Sequence, residues 1–257
     1  MREYKLTYQK NIRDLGGLVG YEGKKVKYGR IFRGGFLDKV DPSDVPVLDS
    51  FKLTDIVDFR GQMEFEHRPD VQLKGVVYHN FPAMYENVSK EHFTNPDGNL
   101  IWFVEHESDG HRHMLKVYKE LMTSEYGQEA YKNFFKLLLS SDDRVVYFHC
   151  SQGKDRAGMA AFLFEMALGV DMETAKADYL RSNIAMAGRV EKLIELVKDK
   201  PFFNDEYKES MYSVFSAKIE YLEGAVETII EKYQSIENYL KNVLDVDIVR
   251  LRKIYLE

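Results

Sequence analysis

The sequence predicts an α/β protein: a mainly parallel central sheet flanked by helices, with a C-terminal helical addition. Three observations predict it. Short apolar runs at residues 54–59, 75–81 and 144–148 have the length and the β-branched or aromatic character of buried strands, and longer helical or irregular stretches separate them. The run at 144–148 leads into a stretch, 156–168, that is apolar nearly all round, as a helix packed behind a sheet must be. Beyond residue 171 no convincing strand remains. With 257 residues and 44% hydrophobic content, the chain can bury one large core. It reads as a single domain over 1–257, with an α/β core over 1–183 and a helical cap or extension over 184–257.

Taken in chain order, residues 25–32 read as a hairpin arm and 45–51 as a short helix. The glycines at 16, 17, 20 and 23 only superficially resemble a nucleotide loop, because no strand precedes them and the spacing is wrong for a dinucleotide fingerprint. Residues 105–113 hold three histidines among acids, which could bind a divalent metal. The plainer reading is a solvated loop with Ser108 or Asp109 capping the helix that follows, and no metal is called for. Ala157, Gly158, Ala160 and Ala161 let the 156–168 helix approach its neighbours closely. Asp171 is a good N-cap for a helix reaching Asn183, Pro201 marks a break, and 205–233 reads as one or two long helices.

The most informative residue is Cys150, the single cysteine. It stands in His149-Cys150-Ser151-Gln152-Gly153-Lys154-Asp155-Arg156-Ala157-Gly158, between a strand and a helix. A free thiol titrates near about 8.5, so little of it is thiolate at neutral pH. Backbone N–H groups of a short loop curled around one point, with a helix N-terminus behind them, form an anion-binding nest that makes the thiolate. The same donors, from Ser151, Gln152, Gly153, Lys154, Ala157 and Gly158, can then hold the oxygens of a transferring phosphoryl group. Gly153 permits the tight turn, and the planar fork of Arg156 grips two oxygens where a lysine offers only a point charge. His149 reads as a hydrogen-bond donor that fixes the loop and supports the thiolate. A lone cysteine is more often a small buried hydrophobe, but the preceding strand, the glycine, the arginine five residues on and the helix all argue for a nucleophile.

These residues resemble the cysteine-dependent protein tyrosine phosphatases, and within them a bacterial group whose loop reads His-Cys-x-x-Gly-Lys-Asp-Arg. The resemblance extends along the chain. Asn11-Ile12-Arg13-Asp14-Leu15-Gly16-Gly17, Ile31-Phe32-Arg33-Gly34-Gly35, Ile56-Val57-Asp58-Phe59-Arg60, Asp178-Tyr179-Leu180-Arg181-Ser182-Asn183 and Tyr233-Gln234-Ser235-Ile236-Glu237-Asn238-Tyr239-Leu240 are similar to that group's motifs, in the same order. The resemblance implies hydrolysis of phosphate monoesters through a phosphocysteine intermediate, without a cofactor, and phosphate contacts from Arg33 and Arg60. Phosphotyrosine protein is the first expectation for the substrate. Lys154 resembles a lysine in the loops of phosphatases that accept inositol lipids, so phosphoserine, phosphothreonine and phosphoinositide stay open. Inorganic phosphate would be the product. The resemblance also implies helical material near the pocket, hence the cap over 184–257.

Ala157 departs from the group, which has Ser or Thr there to ease release of the thiolate. A slower second step is expected, or compensation by a hydroxyl such as that of Ser151. The alternative is a phospho-ligand binding protein with little turnover. Expelling an alkoxide also requires a general acid. Asp155 and Asp58 are both candidates; the plainer readings are a helix N-cap for Asp155 and, for Asp58, an ion-pair partner of Arg156 or Arg60.

Charge bounds the partners. The net charge is −6, yet residues 1–40 carry ten Lys or Arg against four Asp or Glu, and residues 204–247 carry four against ten. Lys24, Lys25, Lys27, Arg30 and Arg33 would draw in a polyanion if they flanked the pocket, although a solvated hairpin explains the lysines equally well. No basic stripe with interleaved aromatics points to nucleic acid. No apolar stretch approaches the roughly 18 residues of a membrane span, the N-terminus lacks a signal-peptide core, and a lone cysteine suits a reducing compartment. A cytoplasmic location is the expectation, with export by a route lacking a cleaved signal left open. Asn87-Val88-Ser89 fits a glycosylation sequon, read as an accident.

Overall fold

The computed structural model describes residues 2–85 and 109–257. The sequon at Asn87 and the acidic and histidine positions 105–108 lie outside these residues. Strands β1 (Arg2–Tyr4), β2 (Ile12–Asp14), β3 (Ile31–Gly35), β4 (Asp55–Asp58), β5 (Val77–Asn80) and β6 (Val146–Cys150) form one sheet in the order β1-β2-β3-β6-β4-β5. From β3 to β5 the pairing is parallel; β1 and β2 add an antiparallel edge. The expected strands at 54–59, 75–81 and 144–148 are therefore present as β4, β5 and β6. The hairpin expected at 25–32 is not formed. Lys25 and Val26 make only isolated bridges to Val19 and Leu256, a left-handed turn at Gly29 follows, and Ile31 then opens β3.

β6 is central, and all five of its residues are buried. Its register aligns Cys150 with Gly35 of β3, and His149 with Asp58 of β4. The carboxyl ends of three parallel strands thus meet at one edge, the usual ligand-binding edge of an open α/β sheet.

Helices cover both faces. On one side lies α1 (Val45–Ser50), under which Leu48, Phe51 and Ile56 pack with Phe32 and Tyr147. The short α2 (Gln62–His67) follows β4. On the other side α3 (Gly110–Thr123), α4 (Glu125–Leu139) and α5 (Arg156–Leu168) share the main core. The Asp109 side chain accepts from Arg112 N and caps α3. As its composition requires, α5 is buried on nearly every face, and it closes on Gly169 in the left-handed conformation, where Val170 N donates to Glu165 O (3.0 Å).

After α5 the described elements are helical: α6 (Met172–Leu180), α7 (Ser182–Met186), α8 (Arg189–Val197), α9 (Asp205–Phe215), α10 (Ile219–Tyr233), α11 (Ile236–Asn238) running into a π-turn, and α12 (Ile248–Tyr255). Asp171 does cap α6, but the helix ends at Leu180 and a turn at Arg181 restarts it as α7. These helices divide by packing. α10 to α12 join the main core through Tyr221, Leu222, Leu251 and Tyr255, whereas Val190 and Val197 of α8 and Tyr207 and Met211 of α9 form a small core of their own. Among the described residues no helix is long and apolar enough to cross a membrane.

Candidate active site

The loop begins where β6 ends. Cys150 is 2% exposed and Gly153 turns the chain at φ 67°. A Cβ on Gly153 would stand 2.2 Å from Gly34 O, so that position excludes any side chain as well as favouring glycine conformationally. The loop is held from behind. Asn11 Nδ2 donates to Gly153 O (3.0 Å) and Gln152 O (3.3 Å), and Arg33 Nη2 donates to Gly153 O (2.8 Å). In a trans peptide the N–H points opposite to the C=O. Turning these two carbonyls towards Asn11 and Arg33 turns the amides of Gly153 and Lys154 the other way.

Asn11 and Arg33 are themselves fixed by a buried charge cluster. Arg33 Nη1 and Arg13 Nε each donate to Asp178, both at 2.7 Å, and Arg13 Nη1 donates to Asn11 Oδ1. Burial opposes ionisation of Asp178, but the two guanidiniums outweigh it and hold that carboxyl below its usual range. Burial and Asp178 push neighbouring Glu165 well above the carboxylate range, so Glu165 is neutral.

The opposite wall is a triangle that the sequence did not reveal. Arg156 Nη1 donates to Glu64 Oε2 (2.5 Å), Arg156 Nη2 to Ser151 Oγ (2.9 Å), and Ser151 Oγ to Glu64 Oε1 (2.6 Å). Burial favours the neutral acid, yet Arg156 prevails and lowers Glu64 to about 2. The same carboxylate and the nearby Cys150 overcome burial to keep Arg156 charged.

Asp58 and Arg60 are 2% exposed each and paired with one another: Arg60 Nε and Nη2 reach Asp58 Oδ2 at 2.8 and 2.6 Å. Arg60 Nη2 also lies 3.5 Å from Asp70 Oδ1. For Asp58 the ion-pair reading fits this geometry, with Arg60 as the partner. His149 lies between the two acids, its Nε2 2.7 Å from Asp70 Oδ2 and its Nδ1 3.7 Å from Asp58 Oδ1. Burial opposes the charge on the imidazole, but Asp58 and Asp70 outweigh it and raise its pKa. Asp58, Asp70 and His149 are close enough to cradle a metal ion, but the guanidinium of Arg60 already supplies the positive charge between the carboxylates.

Asp155 stands at the N-cap position of α5 but makes no side-chain cap bond. Its Oδ1 instead accepts from Tyr118 Oη (2.8 Å) and Lys154 Nζ (2.7 Å). Lys154 is buried, and its ammonium also donates to Val214 O (2.9 Å) and Ser216 O (3.2 Å) at the C-terminal end of α9. Ala157 and Gly158 form the buried first turn of α5, where a Cβ on Gly158 would come 3.3 Å from Arg33 Nη2. Lys24, Lys25, Lys27 and Arg30 do not flank the loop. Lys27 Nζ donates to Ile254 O and Arg30 Nε to Arg144 O, two residues before β6 and so at the opposite edge of the sheet.

The tyrosine phosphatase family model matches residues 4–257. The chain belongs to that family. It is 30% identical, over 96% of its length and 85% of the other's, to a predicted tyrosine-protein phosphatase of Cupriavidus necator. It is 28% identical, over 90% of both chains, to the triple specificity protein phosphatase PtpB of Mycobacterium tuberculosis. The protein is thus a phosphatase, and the loop from Cys150 to Arg156 is its candidate catalytic centre.

Of the residues proposed from sequence, Cys150, Ser151, Gln152, Gly153, Lys154, Asp155 and Arg156 share this loop, whereas Arg33, Asp58, Arg60 and His149 lie buried around it. Sequence reasoning missed Glu64, Asp70 and Tyr118. Asn11, Arg13 and Asp178 stood inside recognised motifs without a role. For Tyr118 there was no local signal, because its partner is 37 residues away.

Proposed function

We propose that the phosphatase hydrolyses phosphate monoesters through a phosphocysteine intermediate. The Cys150 thiolate attacks phosphorus while the P–O bond breaks, and its electron pair leaves with the ester oxygen, which takes a proton from Asp155. Water then attacks phosphorus, the S–P bond breaks, its electron pair returns to sulfur, and Asp155 receives the water proton. Arg156 and the loop amides hold the three non-bridging oxygens throughout. The observation that carries this reading is the loop itself: backward-facing carbonyls of Gln152 and Gly153, a sulfur at the root and an oriented guanidinium at the exit.

Asp155 is preferred over Asp58 as the acid because Asp58 is saturated by Arg60. Arg33, Arg60 and His149 then act from beneath, holding the loop and its neighbours rather than the phosphate. Phosphotyrosine protein remains the first substrate, and a relative named for triple specificity supports a wider range. Phosphoinositide recognition through Lys154 receives less support, since each hydrogen of that ammonium already has an acceptor. The pair α8 and α9, with its separate small core, is the part of the C-terminal region best suited to act as a cap. A slow second step is expected at Ala157, since the Ser151 hydroxyl proton is engaged by Glu64.

Pre-steady-state kinetics with an excess of an aryl phosphate test this. A burst of about one phenol per enzyme followed by slower steady release is expected, with an acid-quenched phosphoryl adduct on Cys150 that Cys150→Ser abolishes. Tight binding without release of phenol would mean a phospho-ligand binding protein instead.

A further inference from the structure

An acid that delivers its proton to a leaving oxygen must present the right carboxyl oxygen, and here the two oxygens of Asp155 differ. Oδ1 takes two hydrogen bonds, from Tyr118 and Lys154, while no described residue donates to Oδ2. The Asp155 side chain is 25% exposed, whereas Tyr118 is wholly buried and the Lys154 side chain is 1% exposed. The exposed part therefore lies away from Oδ1.

We propose that Tyr118 is a positioning residue for proton transfer: its hydroxyl, with the Lys154 ammonium, occupies Oδ1 of Asp155 and so leaves Oδ2 to carry the proton to the leaving group. The inference rests on Asp155 being the general acid. Tyr118 is well placed for this task. Its hydroxyl lies 2.8 Å from that of Tyr179 on α6, its ring meets that of Tyr179 edge-on at 86°, and it packs on Tyr221 of α10 at 5.6 Å. With the Tyr118 proton directed at Asp155, Tyr179 donates to the Tyr118 oxygen, and the chain runs one way from Tyr179 through Tyr118 to Asp155. Burial first, and then Asp155, raise Tyr118 well above the usual phenol range, so it keeps its proton at every working pH. The other titratable groups that face the carboxylate are Lys154 on the loop, with Tyr131, Tyr179 and Tyr221 from the neighbouring helices.

Once Asp155 has given up its proton, the new negative charge faces an ammonium and a hydroxyl already aimed at it. No reorganisation is needed, which is the condition for an effective acid. Lys154 is anchored in turn by Val214 O and Ser216 O, so the two donors to Asp155 Oδ1 are held by α6 through Tyr179 and by the C-terminal end of α9.

The test is Tyr118→Phe, read as kcat/KM and as pre-steady-state phenol release across aryl phosphates from nitrophenyl to unsubstituted phenyl. Loss of about ten- to a hundredfold is expected with phenol as leaving group, and about twofold or less with the most acidic phenols, which leave without help. Tyr179→Phe, one hydroxyl further out, should give the same trend at smaller size, and serves should Tyr118→Phe fold poorly. Adding Tyr118→Phe to Asp155→Asn should cost nothing further on phenyl phosphate. A loss equal across the series, or no loss, overturns the proposal. If Asp155→Asn itself shows no dependence on the leaving group, the acid reading fails and takes this inference with it. If Asp155→Asn shows the dependence and both phenylalanine variants lack it, only the positioning role of Tyr118 falls.

Discussion

Glu64 fixes the guanidinium to which the proposed mechanism assigns the phosphate oxygens. Its carboxylate fixes one edge of the Arg156 guanidinium and the Ser151 hydroxyl, leaving the other guanidinium donors for substrate oxygens. Glu64→Gln keeps the shape but removes the charge that orients Arg156. A fall of about ten- to a hundredfold in kcat/KM for an aryl phosphate is expected, roughly 1.4 to 2.7 kcal/mol of lost transition-state stabilisation. Steady-state kinetics alongside Tyr118→Phe would separate the two, since Glu64→Gln should weaken every substrate alike. Why Arg156 was legible in the sequence and Glu64 was not follows from distance along the chain. Arg156 shares a ten-residue motif with Cys150, whereas Glu64 meets Arg156 across 92 residues and carries no sequence marker that distinguishes it from other acids. Asp58 illustrates the converse: its place at a strand end and two candidate ion-pair partners were legible, and the coordinates choose Arg60 over Arg156.

At the level of elements, the unit of function is strand, loop and helix together. β6, the turn at Gly153 and α5 were legible because each has a local cause: an apolar run, a glycine and a second apolar run without a polar face. The hairpin at 25–32 misled because alternating basic and apolar residues look like a strand whichever partner they find; here Lys25 and Val26 find the C-terminal residues. α8 went unread although Val190, Leu193, Ile194 and Val197 carry the i, i+3, i+4, i+7 spacing of an amphipathic helix, the face that packs on the small core. Gly153→Ala tests the unit. Positive φ and a Cβ 2.2 Å from Gly34 O both forbid it, so a stability loss of at least about 1 to 3 kcal/mol is expected in urea unfolding, with loss of vanadate binding. Wild-type vanadate affinity in Gly153→Ala would contradict the account of the loop.

For the whole molecule, buried charges set how stability varies with pH. Glu64, Asp70 and Asp178 have folded pKa values below their unfolded ones, so the stability they contribute is complete above about pH 4.5 and is lost as pH falls toward the folded values, about 2 for Glu64. His149 and Glu165 are raised and act in the other sense. Their contributions are complete below the unfolded values, about 6.5 and 4.5, and are lost as pH rises toward the folded ones. The urea midpoint should therefore peak in mildly acidic solution, at about pH 5 to 6, and decline on both sides. Glu165→Gln, which cannot ionise, should flatten the alkaline decline; an unchanged slope would mean that Glu165 is not the buried neutral acid described above. The same architecture has a consequence for how the enzyme dies. Cys150 sits between a strand buried along its whole length and a helix buried on nearly every face, so partial opening of one dismantles the other. Thermal inactivation is then a property of the entire fold, and its half-life is governed by the global unfolding barrier rather than by fraying at the catalytic edge.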